Sequence, residues 1–156
     1  MYQQRRMPRR DDSGNQRVGI FVDGPNMLRK EFMIDLGEVR RVARKFGKIS
    51  ISKVFINQFA PEKLIEAVIN EGFECIMVLG QMSEDKSTDV DVSLATAAVE
   101  AIMENNIETL VIVTRDADFL PVMQKAKEHG KTVVVIASEP GFSVSLKNAA
   151  DHVELL

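Results

Sequence analysis

The stretch Val18-Gly19-Ile20-Phe21-Val22-Asp23-Gly24-Pro25-Asn26 reads as a β-strand that runs straight into a turn. Its first five residues are apolar without alternation, so neither face of the strand is suited to water. Asp-Gly-Pro-Asn then ends it, because glycine and proline interrupt regular pairing while Asp and Asn bond to nearby backbone. The same pattern recurs along the chain. Phe73 to Leu79, Leu110 to Val113 and Thr132 to Ala137 are further apolar runs, and Ile49 to Asn57 adds one rich in β-favouring residues. Helical spacing fills the intervals: Asn26 to Phe46 with a break near Gly37, Pro61 to Glu71 stopped by Gly72, Asp89 to Asn105, and Phe119 to His129 stopped by Gly130. A short helix over Val144 to Ala149 and a terminal piece, His152 to Leu155, close the domain. Strands that are apolar on both faces, with helices between them, predict a mostly parallel sheet flanked by helices in three layers, an α/β fold. The expected strand order is 3-2-1-4-5.

The bulk composition agrees with one domain. The chain has 156 residues, 45% of them hydrophobic and 28% charged. A single cysteine, Cys75, rules out a disulfide within the chain and favours a reducing, cytoplasmic setting, with Cys75 in the core. No apolar stretch approaches the roughly 20 residues that span a bilayer, and the arginine-rich N-terminus is no secretory signal. Arg5, Arg6, Arg9, Arg10 and Arg17 against Asp11 and Asp12 leave the first 17 residues at +3, so with a net charge of -3 the remainder stands at -6. Residues 1–16 are expected to be a disordered basic tail suited to phosphate, and 17–156 the folded domain.

In open parallel sheets ligands bind beyond the carboxyl ends of the strands, at the switch in strand order. Strands one and four are neighbours there. Asp23 ends the first; Thr114-Arg115-Asp116-Ala117-Asp118-Phe119 ends the fourth. The helix from Asp89 supplies a third acid. Asp91 shares the apolar, sheet-packing stripe with Ala95, Ala98 and Ile102, whereas Asp89 aligns with Ser93, Thr96 and Glu100 on a polar face. Asp23, Asp91 and Asp116 are therefore the candidate metal ligands, because converging carboxylates repel unless protons or cations intervene and Mg²⁺ prefers such oxygens. Asp118 suits an N-cap before Phe119-Leu120-Pro121 and is also a candidate catalytic acid. Asn26 either caps the helix after Pro25 or positions a carboxylate or water. Other chemistries are missing from the sequence: it has no phosphate-binding glycine loop, no dinucleotide fingerprint, and no acid partner for His129 or His152. Pro25 occupies the position where a double-aspartate phosphatase needs its second acid. Arg40, Arg41, Arg44 and Lys45 read as a solvated helix face, with contact to a phosphate backbone as the alternative.

These segments, in order, resemble the NYN domain family, the LabA-like branch of PIN-like nucleases. Val18 to Asn26 resembles its first-strand signature, Asp91-Val92-Ser93-Leu94-Ala95-Thr96 its central helix, and Thr114 to Pro121 its Ser-Gly-Asp-x-Asp-Phe segment. Gly130-Lys131-Thr132-Val133 and Ser145 to Asp151 resemble the segments that follow. The resemblance implies a PIN-like fold and a Mg²⁺- or Mn²⁺-dependent endoribonuclease acting on RNA, with a homodimer left open. It places Asp23, Asp91, Asp116 and Asp118 on acidic positions and Asn26 on the first-motif Asn; Asn26, Thr114 and Arg115 are the candidate substrate contacts. Two positions depart from the pattern. Ala97 stands where members often carry another acid, and Arg115 replaces a small residue beside the site, adding a candidate phosphate contact. The alternative reading is an RNA-binding module with a degenerate site.

Overall fold

The computed structural model describes residues 16–28, 34–80, 88–138 and 142–156. Six strands, β1 (Arg17–Asp23), β2 (Lys48–Asn57), β3 (Glu74–Val78), β4 (Thr109–Val113), β5 (Thr132–Ala137) and β6 (His152–Leu155), form one sheet. Its order is β3-β2-β1-β4-β5-β6, and every neighbouring pair is parallel. The expected order holds, and the terminal piece extends it as a sixth strand. The helices are α1 (Gly24–Met27), α2 (Leu36–Arg44), α3 (Glu62–Asn70), α4 (Thr88–Met103), α5 (Leu120–Glu128) and α6 (Val144–Ala149).

The period-two alternation of β1 sorts the core into two layers. Val18, Ile20 and Val22 pack with Val39, Val42 and Ala43 of α2 and with Val68 of α3. Phe21 packs on the opposite face with Leu94, Ala98 and Ile102 of α4, Met123 of α5 and Leu146 of α6. Asp23 lies two residues beyond Phe21, so the same alternation assigns it to the α4 side of the sheet. On β4, Leu110 and Ile112 belong to that side as well, which puts Thr114 there too. The register aligns Val22 with Val113, so Asp23 and Thr114 leave the sheet side by side.

Helix ends follow local chemistry. Gly72 and Gly130 take positive φ, 87° and 74°, directly after α3 and α5, a conformation that side chains with a Cβ avoid. The expected helical stretch from Asn26 to Phe46 with a break near Gly37 is corrected. α1 is a single turn ending at Met27, and α2 starts afresh at Leu36, where the Asp35 side chain accepts from Gly37 N at 2.8 Å and Glu38 N at 3.3 Å. Gly37 therefore sits in the first turn of α2 and breaks nothing. The presumed basic face of α2 is largely paired: Arg41 bridges Glu38, Lys45 bridges Glu154, and Arg40 lies over the Phe73 ring. Cys75, expected in the core, is half-buried at its margin, because β3 is an edge strand. His152 packs against Phe46 in a tilted arrangement, with 5.0 Å between ring centroids.

At the amino ends of the strands, Arg17 folds onto Glu108. Its Nη2 donates to Glu108 Oε2 at 2.7 Å and to the Asn105 carbonyl at 2.7 Å, and its backbone N donates to Glu108 Oε1 at 2.6 Å. Lys131 donates to Asn105 Oδ1 beside them. Burial pushes the Glu108 carboxyl up, but the hydrogen bonds from Arg17 outweigh it and hold the group below the usual range. Arg17 thus belongs to the domain's frame. The expectation of a disordered tail falls on residues of which 1–15 lie outside the described part of the structure.

Candidate metal centre

Asp23 is 1% exposed. It caps α1 with one oxygen, Oδ1 accepting from Asn26 N at 3.3 Å, and accepts from Thr114 Oγ1 at 3.1 Å with the other. Asn26 is a possible cap by sequence, but Asp23 is the cap of α1, and Asn26 Oδ1 accepts from Arg115 N at 3.1 Å. The turn after β4 is held the same way. Thr114 Oγ1 accepts from Asp116 N at 3.1 Å, and Asp116 Oδ1 accepts from Asp118 N at 2.9 Å, capping the 3-10 turn Ala117–Phe119. The expected cap at Asp118 is thereby corrected. Asp116 is the cap, Asp118 has an exposed side chain, and α5 begins without a side-chain cap. The reason is the 3-10 turn, which moves the N-cap two residues upstream.

Asp91 enters from above. The buried stripe of α4 is centred on Val90, Leu94, Ala98 and Ala101, so Asp91 stands at its edge, half-buried in the first turn. Asp89 is half-buried in that turn as well. One carboxylate oxygen from each of Asp23, Asp91 and Asp116 lies within 4.8 Å of the other two. The three acids chosen from strand-end position and helix face thus meet.

The electrostatics record the crowding. Burial first, then the Asp91 charge, push the Asp23 carboxyl up to about 7, against the pull of its bonds from Thr114 and Asn26. Burial, then Asp116 and Asp118, push Asp91 up to about 6. Among the described residues, Asp91 Oδ1 is buried with no hydrogen-bond partner. An orphaned buried carboxylate oxygen is costly unless something else binds it. The donors here are carboxylates, without nitrogen or sulfur, which suits a hard divalent cation such as Mg²⁺ or Mn²⁺.

Of the other expected site residues, Thr114 is fully buried, Arg115 and Asn26 are half-buried, and Ala97 is half-buried on α4. The bonds joining Asn26 to Arg115 and Thr114 to Asp23 cross from one strand end to another, and no local sequence signal announces them. Only the polar Thr114, falling in the β4 alternation on the face of Asp23, hints at the second.

A six-stranded parallel sheet in this order, with acids gathered beyond its central strand ends, defines a PIN-like α/β fold. The chain belongs to the NYN domain family, whose pattern it matches over residues 17–156. It is 53% identical over 144 residues to an uncharacterized protein of Methanocaldococcus jannaschii, covering 92% of this chain and 57% of that protein. The chain therefore spans little more than half the length of that relative. The structure is also similar to a crystal structure of a Vibrio parahaemolyticus protein of unknown function, with a TM-score of 0.78 at 20% identity, over 95% of this chain and 96% of that one; this likeness concerns the fold. Among the described residues no helix is long and apolar enough to cross a membrane.

Proposed function

We propose that this protein is a metal-dependent endoribonuclease that hydrolyses RNA phosphodiester bonds. The observation that carries the reading is the convergence of Asp23, Asp91 and Asp116 within 4.8 Å, in a chain of a PIN-like nuclease family. These three carboxylates would hold Mg²⁺ or Mn²⁺. When bound, such an ion polarises the phosphate and lowers the pKa of a coordinated water. The chain's own groups do the rest. Asp23, clamped at both oxygens, fixes the floor of the site. Asp118, exposed beside Asp116, orders water at its mouth. Arg115, whose backbone is pinned by Asn26, offers a guanidinium to the RNA phosphate, and the tail arginines add sequence-independent phosphate contacts.

A second reading is an RNA-binding module that has lost activity. Ala97 favours it, since α4 then carries no acid two turns after Asp91. The deciding assay incubates purified protein with structured and single-stranded RNA in Mn²⁺, Mg²⁺ or EDTA, beside Asp23→Asn. Cleavage that needs metal and Asp23 supports the enzyme. Metal-dependent stabilisation with RNA binding but no cleavage assigns the module.

A further inference from the structure

We infer that Thr114 is a positioning residue for the cation site: its hydroxyl, oriented by the backbone of the Asp116 turn, sets the pose of Asp23 and so the affinity for a divalent ion. The inference rests on the metal-site reading and deepens it.

Thr114 Oγ1 carries a single hydrogen. Because the oxygen already accepts from Asp116 N at 3.1 Å, that hydrogen is left for Asp23 Oδ2, also at 3.1 Å. The other Asp23 oxygen accepts from Asn26 N. The carboxylate is thus gripped at both oxygens, one grip from α1, which follows its own strand, and one from the residue just past the neighbouring strand β4. The second grip is the joint between β1 and the turn that carries Asp116, so the same hydroxyl references two of the three clustered acids to each other. Each carboxylate oxygen keeps a further lone pair for a ligand.

Thr114 is 0% exposed, and the one hydrogen of its hydroxyl is donated to Asp23. A phosphate oxygen, itself an acceptor, would have to break that bond to be bound by it. A purely structural role is the competing account, and it differs in one respect. It predicts lost stability when the hydroxyl is removed, with no change in affinity for metal. Groups that orient metal ligands change affinity instead, by about 10–100-fold when removed.

The test uses the full chain and Mn²⁺ alone, titrated calorimetrically into wild type, Thr114→Val, Thr114→Ser and Asp23→Asn. Valine keeps the shape and deletes the hydroxyl; serine keeps the hydroxyl. The expected result is Mn²⁺ binding weakened about 10–100-fold in Thr114→Val, near-wild-type binding in Thr114→Ser, and binding abolished in Asp23→Asn. At saturating Mn²⁺, KM for RNA should match wild type in Thr114→Val. Wild-type Mn²⁺ affinity in Thr114→Val, or a raised KM for RNA in its place, overturns the inference and leaves the metal centre standing. Absence of Mn²⁺ binding in wild type overturns the centre itself, and the inference with it. Should the valine variant fail to fold, Thr114→Cys, of similar size and with a weaker donor, takes its place under the same criteria.

Discussion

The Asn26 side-chain oxygen accepts the backbone N–H of Arg115 at 3.1 Å, joining residues that stand just past the ends of β1 and β4. Because Asn26 N also donates to Asp23, one residue ties the Asp23 turn to the Asp116 turn from the side opposite Thr114. Asn26→Ala deletes this hydrogen bond to a partly buried N–H, which costs about 1–2 kcal/mol. Denaturant melts should show this loss equally in EDTA and in Mg²⁺. A loss confined to the metal-loaded protein would instead make the Asn26 side chain part of the ion's environment.

Gly24 lies against β2. A Cβ there would collide with the Phe55 carbonyl oxygen and reach within 2.9 Å of Ile56 Cγ2. Neither the strand backbone nor a fully buried isoleucine can yield easily, so the strain passes to the turn that begins at Asp23. Gly24→Ala should destabilise by about 1–3 kcal/mol, the range for overpacked cores, and should reduce the stabilisation conferred by added Mn²⁺. Thermal melts with and without Mn²⁺ check both. An unchanged Mn²⁺ increment would show that the strain is absorbed before it reaches Asp23.

The raised carboxyls fix the sign of a pH effect. Asp23 stands at about 7 and Asp91 at about 6 in the folded protein, against about 3.9 for a free aspartate. Well below that value both are protonated whether folded or unfolded, and the stability linked to them is fully present. As pH rises toward 7 the unfolded chain gives up protons that the folded one retains, so that stability is lost. In EDTA, the metal-free protein should lose stability between pH 5 and 7.5, and Asp23→Asn should flatten the slope. Protons compete with the ion, so the Mg²⁺-dependent rise in Tm should grow over the same interval. A wild-type slope retained in Asp23→Asn would assign the effect to other groups.

Much of the fold was legible because its signals are local. Strands with two apolar faces can only be covered on both sides, so four largely apolar runs pointed to a parallel sheet. The helical period placed Asp91 near the packing stripe, and strand ends located Asp23 and Asp116. Capping was harder to read. The sequence favoured Asp118 as the cap, and the 3-10 turn that makes Asp116 the cap becomes visible only in the backbone. The links from Asn26 to Arg115 and from Thr114 to Asp23 join positions 89 and 91 residues apart, and apart from the polar Thr114 on the face of Asp23 the sequence carries no trace of such pairs. Arg17 misled for the same reason. In sequence it counts with the arginines that precede it as part of a basic N-terminus, while its partner Glu108 lies 91 residues away.

That pair gives a control remote from the site. The Arg17 and Glu108 side chains keep only 15% and 9% of their exposure. Removing one member of such a pair leaves an uncompensated charge and costs about 3 kcal/mol. Glu108→Ala should lower stability by that amount while Mn²⁺ affinity stays at the wild-type value. Weakened metal binding in the folded variant would reveal coupling through β4 between the two ends of the sheet.

Asp116 and Asp118 should separate in a way that their sequence does not. Asp118 holds Asp116 through its backbone N–H, so Asp118→Asn keeps that bond. The substitution removes only an exposed charge, one that helps raise Asp91. A charge that close in water is worth about 1 kcal/mol, so Mn²⁺ binding should weaken by no more than about fivefold. Metal-free stability should hold or rise slightly, because repulsion is relieved. In Asp116→Asn the amide oxygen can still cap the 3-10 turn, since Asn caps as well as Asp. The fold is therefore preserved and the loss falls on the cluster of three. Mn²⁺ affinity should drop by more than tenfold, and any RNA cleavage with it. Calorimetric titration of both variants gives the comparison. Equal losses would promote Asp118 to a direct ligand; a negligible loss in Asp116→Asn would remove Asp116 from the centre.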